Sequence, residues 1–154
     1  IPGGKERYHS TLAALNAYPN EKCKFIIHDA VRLFVTQHMI DDTIEALDHY
    51  PACTTAIPST DTILQSDTSG QFVNKIPDRS TLFQVQTPQG FLVETLREAY
   101  NQALTDPHFF STDDCGVVKR YLPDTVIKII EGSPSNVKLT YKEDISIIER
   151  RLLS

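Results

Sequence analysis

His28, Asp29 and Arg32 close an apolar run, Phe25-Ile26-Ile27, and their types and spacing suit phosphate chemistry. A carboxylate at a strand end fits a hard cation such as Mg²⁺, which takes oxygen ligands and is usually shared with substrate phosphates. An arginine three residues further on fits a phosphate, because its planar fork pairs two oxygens at once. Three apolar residues in a row read as a strand buried on both faces, as inside a parallel sheet. In open α/β sheets the ligand lies beyond the carboxyl ends of the strands, where these polar residues would stand. The competing reading is a turn in which Asp29 caps the next element and Arg32 is a solvated charge. Two further stretches are weaker candidates. Gly3-Gly4 ahead of a helix can cradle a phosphate or admit a flat ring, although an ordinary turn is the commoner use of such a pair. Lys138, between Val137 and Leu139, reads on its own as a side chain snorkelling past the core edge. The histidines are scattered and form no metal set.

The elements that would position these residues follow from periodicity. A short helix over 10–15 places Leu12 and Leu15 on one face and ends at Tyr18-Pro19-Asn20. Thr36 caps a predicted helix over 37–49 with Met39, Ile40, Ile44 and Leu47 inward. Residues 53–58 form a strand, and Phe72-Val73 and 82–86 are further extended pieces. The stretch 60–85, rich in polar turns, predicts a hairpin-like arm outside the compact sheet. Thr87-Pro88-Gln89-Gly90-Phe91 is expected to break the pattern before a helix at 92–104, with Val93, Leu96, Tyr100 and Ala103 near one face. Thr112-Asp113-Asp114 opens another helix, with Thr112 a good cap and the acids favourably near its N-terminus. Residues 126–130 are a strong strand and 137–139 a short one. Thr140 to Glu143 has capping-box spacing for a last helix that carries Ile145, Ile148 and Leu152 inward. Alternating strands and helices give an α/β class with a largely parallel sheet.

The 154 residues suffice for one domain with a real core. With 40% hydrophobic and 23% charged residues the composition is that of an ordinary globular protein. The net charge of −5 and the lack of any Lys/Arg block argue against nucleic acid as a partner. No apolar run approaches the ~20 residues a membrane helix needs. The first residues lack the apolar core of a signal peptide. Three widely spaced cysteines, Cys23, Cys53 and Cys115, predict reduced thiols and a cytoplasmic protein.

Seven blocks in order give a more specific reading. Gly3-Gly4-Lys5-Glu6-Arg7 with Ser10, His28-Asp29-Ala30-Val31-Arg32, Asp61-Thr62, Asp78-Arg79, Thr87-Pro88-Gln89, Thr112-Asp113-Asp114 and Asn136-Val137-Lys138-Leu139-Thr140 resemble the cytidylyltransferases that act on sugar-alcohol phosphates. That family includes the enzymes that use 2-C-methyl-D-erythritol 4-phosphate in isoprenoid synthesis and those that make CDP-ribitol from ribitol 5-phosphate. The resemblance implies a Rossmann-like sheet with flanking helices and a protruding β-arm. It implies transfer of CMP from CTP to the sugar-alcohol phosphate, with release of pyrophosphate. Asp29 would bind Mg²⁺, and Gly3, Gly4, Lys5, Glu6, Arg7, Ser10, Ala30 and Lys138 would form the nucleotide site. Arg32, Thr62, Arg79, Thr87 and Thr112 would gather round the acceptor phosphate, with Lys138, Asp29 and Arg79 nearest the chemistry. His28 is structural or supports these groups. The arm would reach into a neighbouring subunit, which implies a homodimer; apolar Ile63, Leu64, Phe72, Val73 and Phe83 need such a cover.

Two departures qualify the resemblance. The family's N-terminal strand and glycine-rich loop, with the arginine and lysine that clamp the triphosphate, have no counterpart in these residues. The expectation is therefore the C-terminal two-thirds of one domain, inactive by itself. Leu33 stands where the family usually has proline. Two other classes compete: a nucleotidyltransferase of the same fold acting on a sugar 1-phosphate, and a non-catalytic dimerising module.

Overall fold

In the computed structural model the site is carried by a four-stranded sheet between two helical layers; residues 1–19 and 21–152 are described, the side chains of Ile147, Arg151 and Leu152 excepted. Asn20 and the Leu152 side chain, both named above, lie outside the described residues. The order is α1 (Arg7–Ala17), β1 (Lys24–Ile27), α2 (Gln37–Ala46), β2 (Ala52–Pro58), β3 (Gln65–Ser66), β4 (Val73–Lys75), β5 (Phe83–Leu92), α3 (Val93–Ala103), α4 (Asp114–Tyr121), β6 (Ile127–Glu131) and α5 (Asp144–Leu152). The sheet order is β1-β5-β2-β6, and β3 and β4 pair separately in the arm.

β1, β2 and β6 point the same way, but β5 runs antiparallel to both its neighbours, so only β2 and β6 pair in parallel. The reason is the arm. β2 leads out into it and β5 returns from it, pairing Pro58 with Phe83 at the arm end and Ala52 with Phe91 at the other. The arm is thus the tip of a long hairpin inserted in an otherwise parallel layout.

β5 also overturns the expected break at 87–91: the strand continues through Thr87, a cis bond to Pro88, Gln89 and Gly90. Proline cannot donate to a ladder, and a central strand normally excludes it. Here the register between β2 and β5 shifts between Thr54 and Ala56, the gap opposite Pro88. Thr55, inside that gap, donates its hydroxyl to the Pro88 carbonyl at 2.7 Å. β1, read above as buried on both faces, is instead an edge strand among the described residues, and Ile26 is exposed.

Alternation along paired strands separates two cores. Ala52 and Phe91 face Leu15, Leu96, Tyr100, Val117 and Val118 from α1, α3 and α4. The next pair, Cys53 and Gly90, faces α2, where Leu47 joins Ala46 and Ile130 in the second cluster. A Cβ on Gly90 would lie 2.7 Å from both Cys53 Sγ and Thr43 Cγ2, so the helix can pack this close only on glycine.

Helix boundaries differ from the expectations in instructive ways. α1 begins at Arg7 because Glu6 and His9 form a reciprocal cap, with the Glu6 amide donating to His9 Nδ1 at 3.0 Å. Thr36 caps α2 as expected, accepting from the Met39 amide at 3.2 Å. The buried face of α2 is Met39, Thr43 and Ala46, with Ile40 only half-buried and Ile44 exposed. The α3 face is the predicted one. Asp113, not Thr112, caps α4. Residues 137–139 form no strand; the Leu139 amide donates to the Val31 carbonyl at 2.9 Å in the loop after β1. α5 starts after the expected capping box, since Asp144 itself accepts from the Thr140 and Tyr141 amides, both at 2.8 Å. Ile148 points inward and Ile145 does not.

Candidate active site

The carboxyl end of β1 delivers Asp29 to a cleft of about 240 Å³ lined by Arg7, Arg32, Val85, Gln86, Thr87, Gln89, Thr112, Asp113 and Lys138. The polar end of that strand is a tight turn, closed by the Arg32 amide on the Asp29 carbonyl. Thr87, from the adjacent β5, accepts from the Asp29 amide at 3.1 Å. His28 completes the frame. Its Nε2 lies 2.9 Å from the Arg32 carbonyl, which can only accept, so this nitrogen carries the proton. Nδ1 lies 2.9 Å from the Thr87 hydroxyl. Histidine here fixes the turn and the threonine rather than facing the cleft.

Lys138 arrives by a different route. The loop after β6 is docked on β5 by Gln86, whose amide donates to the Ser133 carbonyl at 2.9 Å and accepts from the Ser133 amide at 3.2 Å. Fully buried Asn136 adds a bond from Nδ2 to the Thr87 carbonyl at 2.8 Å. Two residues on, the half-exposed Lys138 side chain brings its ammonium to Asp29 at 3.0 Å. Arg32 is held by the Asn136 carbonyl at 2.7 Å and the Val85 carbonyl at 3.2 Å. Its Nε, buried and without a hydrogen bond, lies 4.0 Å from Asp29.

Asp29 therefore faces three cations, with Arg7 Nε the third at 3.7 Å. Burial opposes its charge, but the hydrogen bond and charge of Lys138, then Arg7 and Arg32, hold the carboxyl below its usual range. Burial lowers the Arg32 guanidinium against the pull of Asp29, whereas Arg7, also opposed by burial, is raised by Asp114. Asp114 accepts from the Arg7 guanidinium, from Thr11 at 2.9 Å and from Tyr100 at 2.6 Å. Burial first, then the Asp114 carboxylate, pushes the Tyr100 hydroxyl well above its ordinary value.

A second hollow, of about 270 Å³, lies on the α1 side and shares Arg7 and Asp29 with the cleft; Ser10, Thr11, Ala14, Ile26, Ile27 and His28 complete it. Ser10 accepts from the Gly4 amide at 3.5 Å, folding the glycine pair onto the first turn of α1. Gly3, Lys5 and Glu6 are exposed around that turn, as is Ala30 beside Asp29. A third hollow, about 750 Å³, runs from Arg32 and Lys138 past Val85 and Pro58 to Thr60 and Asp144.

Of the residues expected in the site, Arg7, Asp29, Arg32, Thr87, Thr112 and Lys138 meet in one cleft. Thr62 and Arg79 do not line it. They sit in the exposed arm, where Arg79 donates to the Thr60 carbonyl at 3.2 Å. Sequence reasoning missed Gln86, Asn136 and Asp114 as supports. Asp114 looked like any acidic residue in a first helical turn, and its partners Thr11 and Arg7 are 103 and 107 residues away.

One carboxylate with cations around it is not a protein cage for a metal, and among the described residues no three His, Cys, Asp or Glu cluster. The donor set does fit Mg²⁺ held mainly by nucleotide phosphates and water, with one protein oxygen ligand.

The family model described as IspD, 2-C-methyl-D-erythritol 4-phosphate cytidylyltransferase, matches residues 1–153. The enzyme of that name from Bifidobacterium longum strain DJO10A is 46% identical over 156 residues, covering 97% of this chain and 54% of its own length. A bifunctional ribulose 5-phosphate reductase/CDP-ribitol pyrophosphorylase, Bcs1 of Haemophilus influenzae, is 41% identical over 152 residues, 97% of this chain and 32% of that protein. The crystal structure of 4-diphosphocytidyl-2C-methyl-D-erythritol synthase from Anaerococcus prevotii superposes with a TM-score of 0.91 at 31% identity, covering all of this chain and 69% of that one. The chain thus spans about half the length of the Bifidobacterium relative.

Proposed function

The chain belongs to the 2-C-methyl-D-erythritol 4-phosphate cytidylyltransferase family, and we propose that it carries the catalytic cleft of an enzyme moving CMP from CTP to 2-C-methyl-D-erythritol 4-phosphate. The observation that carries this reading is the Asp29–Lys138 pair, framed by Arg7 and Arg32, in a cleft that also holds Thr87 and Thr112. In the reaction an oxygen of the acceptor phosphate attacks the α-phosphorus of CTP and pyrophosphate leaves. Little covalent chemistry falls to the protein, so catalysis is positioning plus neutralisation of negative charge.

Lys138 neutralises charge between the α-phosphate and the acceptor phosphate. Arg32, already fixed by two carbonyls, presents its remaining edge to the acceptor, and Thr87 and Thr112 donate hydroxyls to the same group. The α1 side, with Gly4, Ser10 and Ala30, receives cytosine and ribose. Asp29 would hold Mg²⁺, which supplies charge neutralisation across the phosphates when bound. Thr62 and Arg79 act from the arm, in the cleft of a second subunit.

A second acceptor, ribitol 5-phosphate, is favoured by one observation: the 41% identity to a protein that carries a CDP-ribitol pyrophosphorylase. Pyrophosphate release by the whole polypeptide with CTP and Mg²⁺, measured against each acceptor, separates the two. Release only with the erythritol phosphate is expected. Release only with ribitol 5-phosphate would reassign the substrate, and release with neither would overturn the activity.

A further inference from the structure

Arg7 is shared by two carboxylates, and the geometry is unequal. Asp114 is fully buried and takes the Arg7 terminal nitrogen in a close ion pair, while Asp29 lies 3.7 Å from Arg7 Nε, beyond hydrogen-bonding distance. A buried carboxylate is costly unless paired and hydrogen-bonded, and Asp114 meets that need with donors from α1 and α3. A purely structural ion pair would explain this much. It would not explain why an arginine at the mouth of the cleft stops short of the other carboxylate. A guanidinium pairs a carboxylate best through two parallel bonds, and Asp114 occupies one end of that fork. Lys138, which has no second carboxylate partner among the described residues, closes on Asp29 at 3.0 Å.

We infer that Asp114 is a positioning residue that acts through Arg7, holding the guanidinium off Asp29 so that Asp29 keeps oxygens open to a divalent cation shared with the nucleotide. The inference rests on the reading of Asp29 as the metal ligand. Freed from Asp114, Arg7 would turn its fork onto Asp29 across the wall common to the cleft and the α1-side hollow. The cation would then have to displace a two-bond ion pair as well as Lys138.

The test is calorimetric titration of CTP into the whole polypeptide at a series of Mg²⁺ concentrations. The quantity read is the Mg²⁺ concentration giving half the maximal gain in CTP affinity. Asp114→Asn keeps an acceptor for Thr11 and Tyr100 but loses the charge that retains Arg7, and should raise this midpoint by about tenfold, the equivalent of one charged hydrogen bond. In an Arg7→Met background the same substitution should leave it unchanged. Thr11→Val removes a donor from the same carboxylate without touching Arg7, so it should lower the melting temperature and not the midpoint. An equal shift in both backgrounds, or a shift with Thr11→Val, would mean that Asp114 acts through the fold and would overturn the inference, as would no shift with Asp114→Asn.

Should Asp114→Asn alone not fold, the Arg7→Met/Asp114→Asn pair, which removes both charges together, decides the matter. A midpoint equal to that of Arg7→Met alone supports the inference, and one about tenfold above or below that of Arg7→Met sinks it. Asp29→Asn is the separate check: if it leaves the midpoint at the wild-type value, the metal-ligand reading itself fails.

Discussion

Lys138 is the residue at which competing physical roles are most sharply separated. A lysine that only covered apolar surface would tolerate Lys138→Met, which keeps the stem and removes a solvated ammonium. The ammonium instead ends on Asp29 at 3.0 Å. Between two phosphates its loss should lower turnover by about 10²–10³, as for removing one preorganised donor. Melting should hardly change, because Asn136 and Gln86 hold the loop without the charge. Wild-type turnover in Lys138→Met would return the residue to a covering role. Asp29→Asn should likewise fold and lose most Mg²⁺-dependent turnover; near-normal kcat with unchanged Mg²⁺ dependence would count against it. The charged members of the cleft were legible in the sequence because each stands in a short block whose order matches the family. Asp114 and Gln86 were not, since a residue that supports another across 47 or 107 positions leaves no local signal.

At the scale of elements, apolar periodicity and cap signals locate the five α-helices among the described residues, but not the short 3-10 turn Arg79–Thr81, and they misplace what proline and side-chain caps decide. A proline argues against a central strand, so the sequence predicts a break at 87–91, whereas the register shift in β2 lets the ladder pass it. That strand also contains a close approach to α2. Gly90→Ala would press a methyl against Cys53 and Thr43, an overpacking expected to cost about 1–3 kcal/mol. Urea unfolding should show a lower midpoint with an unchanged slope; an unchanged midpoint would mean that α2 can retreat freely. The start of α5 depends instead on charge. The Tyr141 and Thr140 amides, which Asp144 accepts, pull its carboxyl below the ordinary range against a smaller effect of desolvation. A depressed carboxyl stabilises the fold above its unfolded pKa, near ~3.9, and that contribution fades as pH falls through the folded value. The amide resonances of Thr140 and Tyr141 should therefore titrate together below pH ~3.9, and Asp144→Ala should abolish that titration. Independent movement of the two amides would contradict the shared cap.

The whole molecule is lopsided in a way that a single chain does not resolve. β3, β4 and their flanks project from the hairpin of β2 and β5, leaving Leu64 55%, Phe72 69% and Ile76 61% exposed. Exposed apolar residues on a slender two-stranded arm are the kind of surface that a partner covers. A second copy is the economical one, because Thr62 and Arg79, expected at the acceptor phosphate, lie on the arm and outside their own chain's cleft. An isologous pair would place each arm over the other subunit's open hollow beside Arg32, Lys138 and Thr60. Sedimentation equilibrium of the whole polypeptide should give a dimer at micromolar concentration. Complementation then tests where Arg79 works. Asp29→Asn and Arg79→Ala subunits should each be inactive alone. Mixed in equal amounts and reassorted, half of the dimers are hybrids, and each hybrid has one cleft with its own Asp29 and its partner's intact arm. The mixture should recover about a quarter of wild-type activity if the arms exchange between subunits. If Arg79 serves the cleft of its own chain, each hybrid holds two defective sites and the mixture stays inactive; a monomer in the centrifuge would dispose of the exchange before that experiment began.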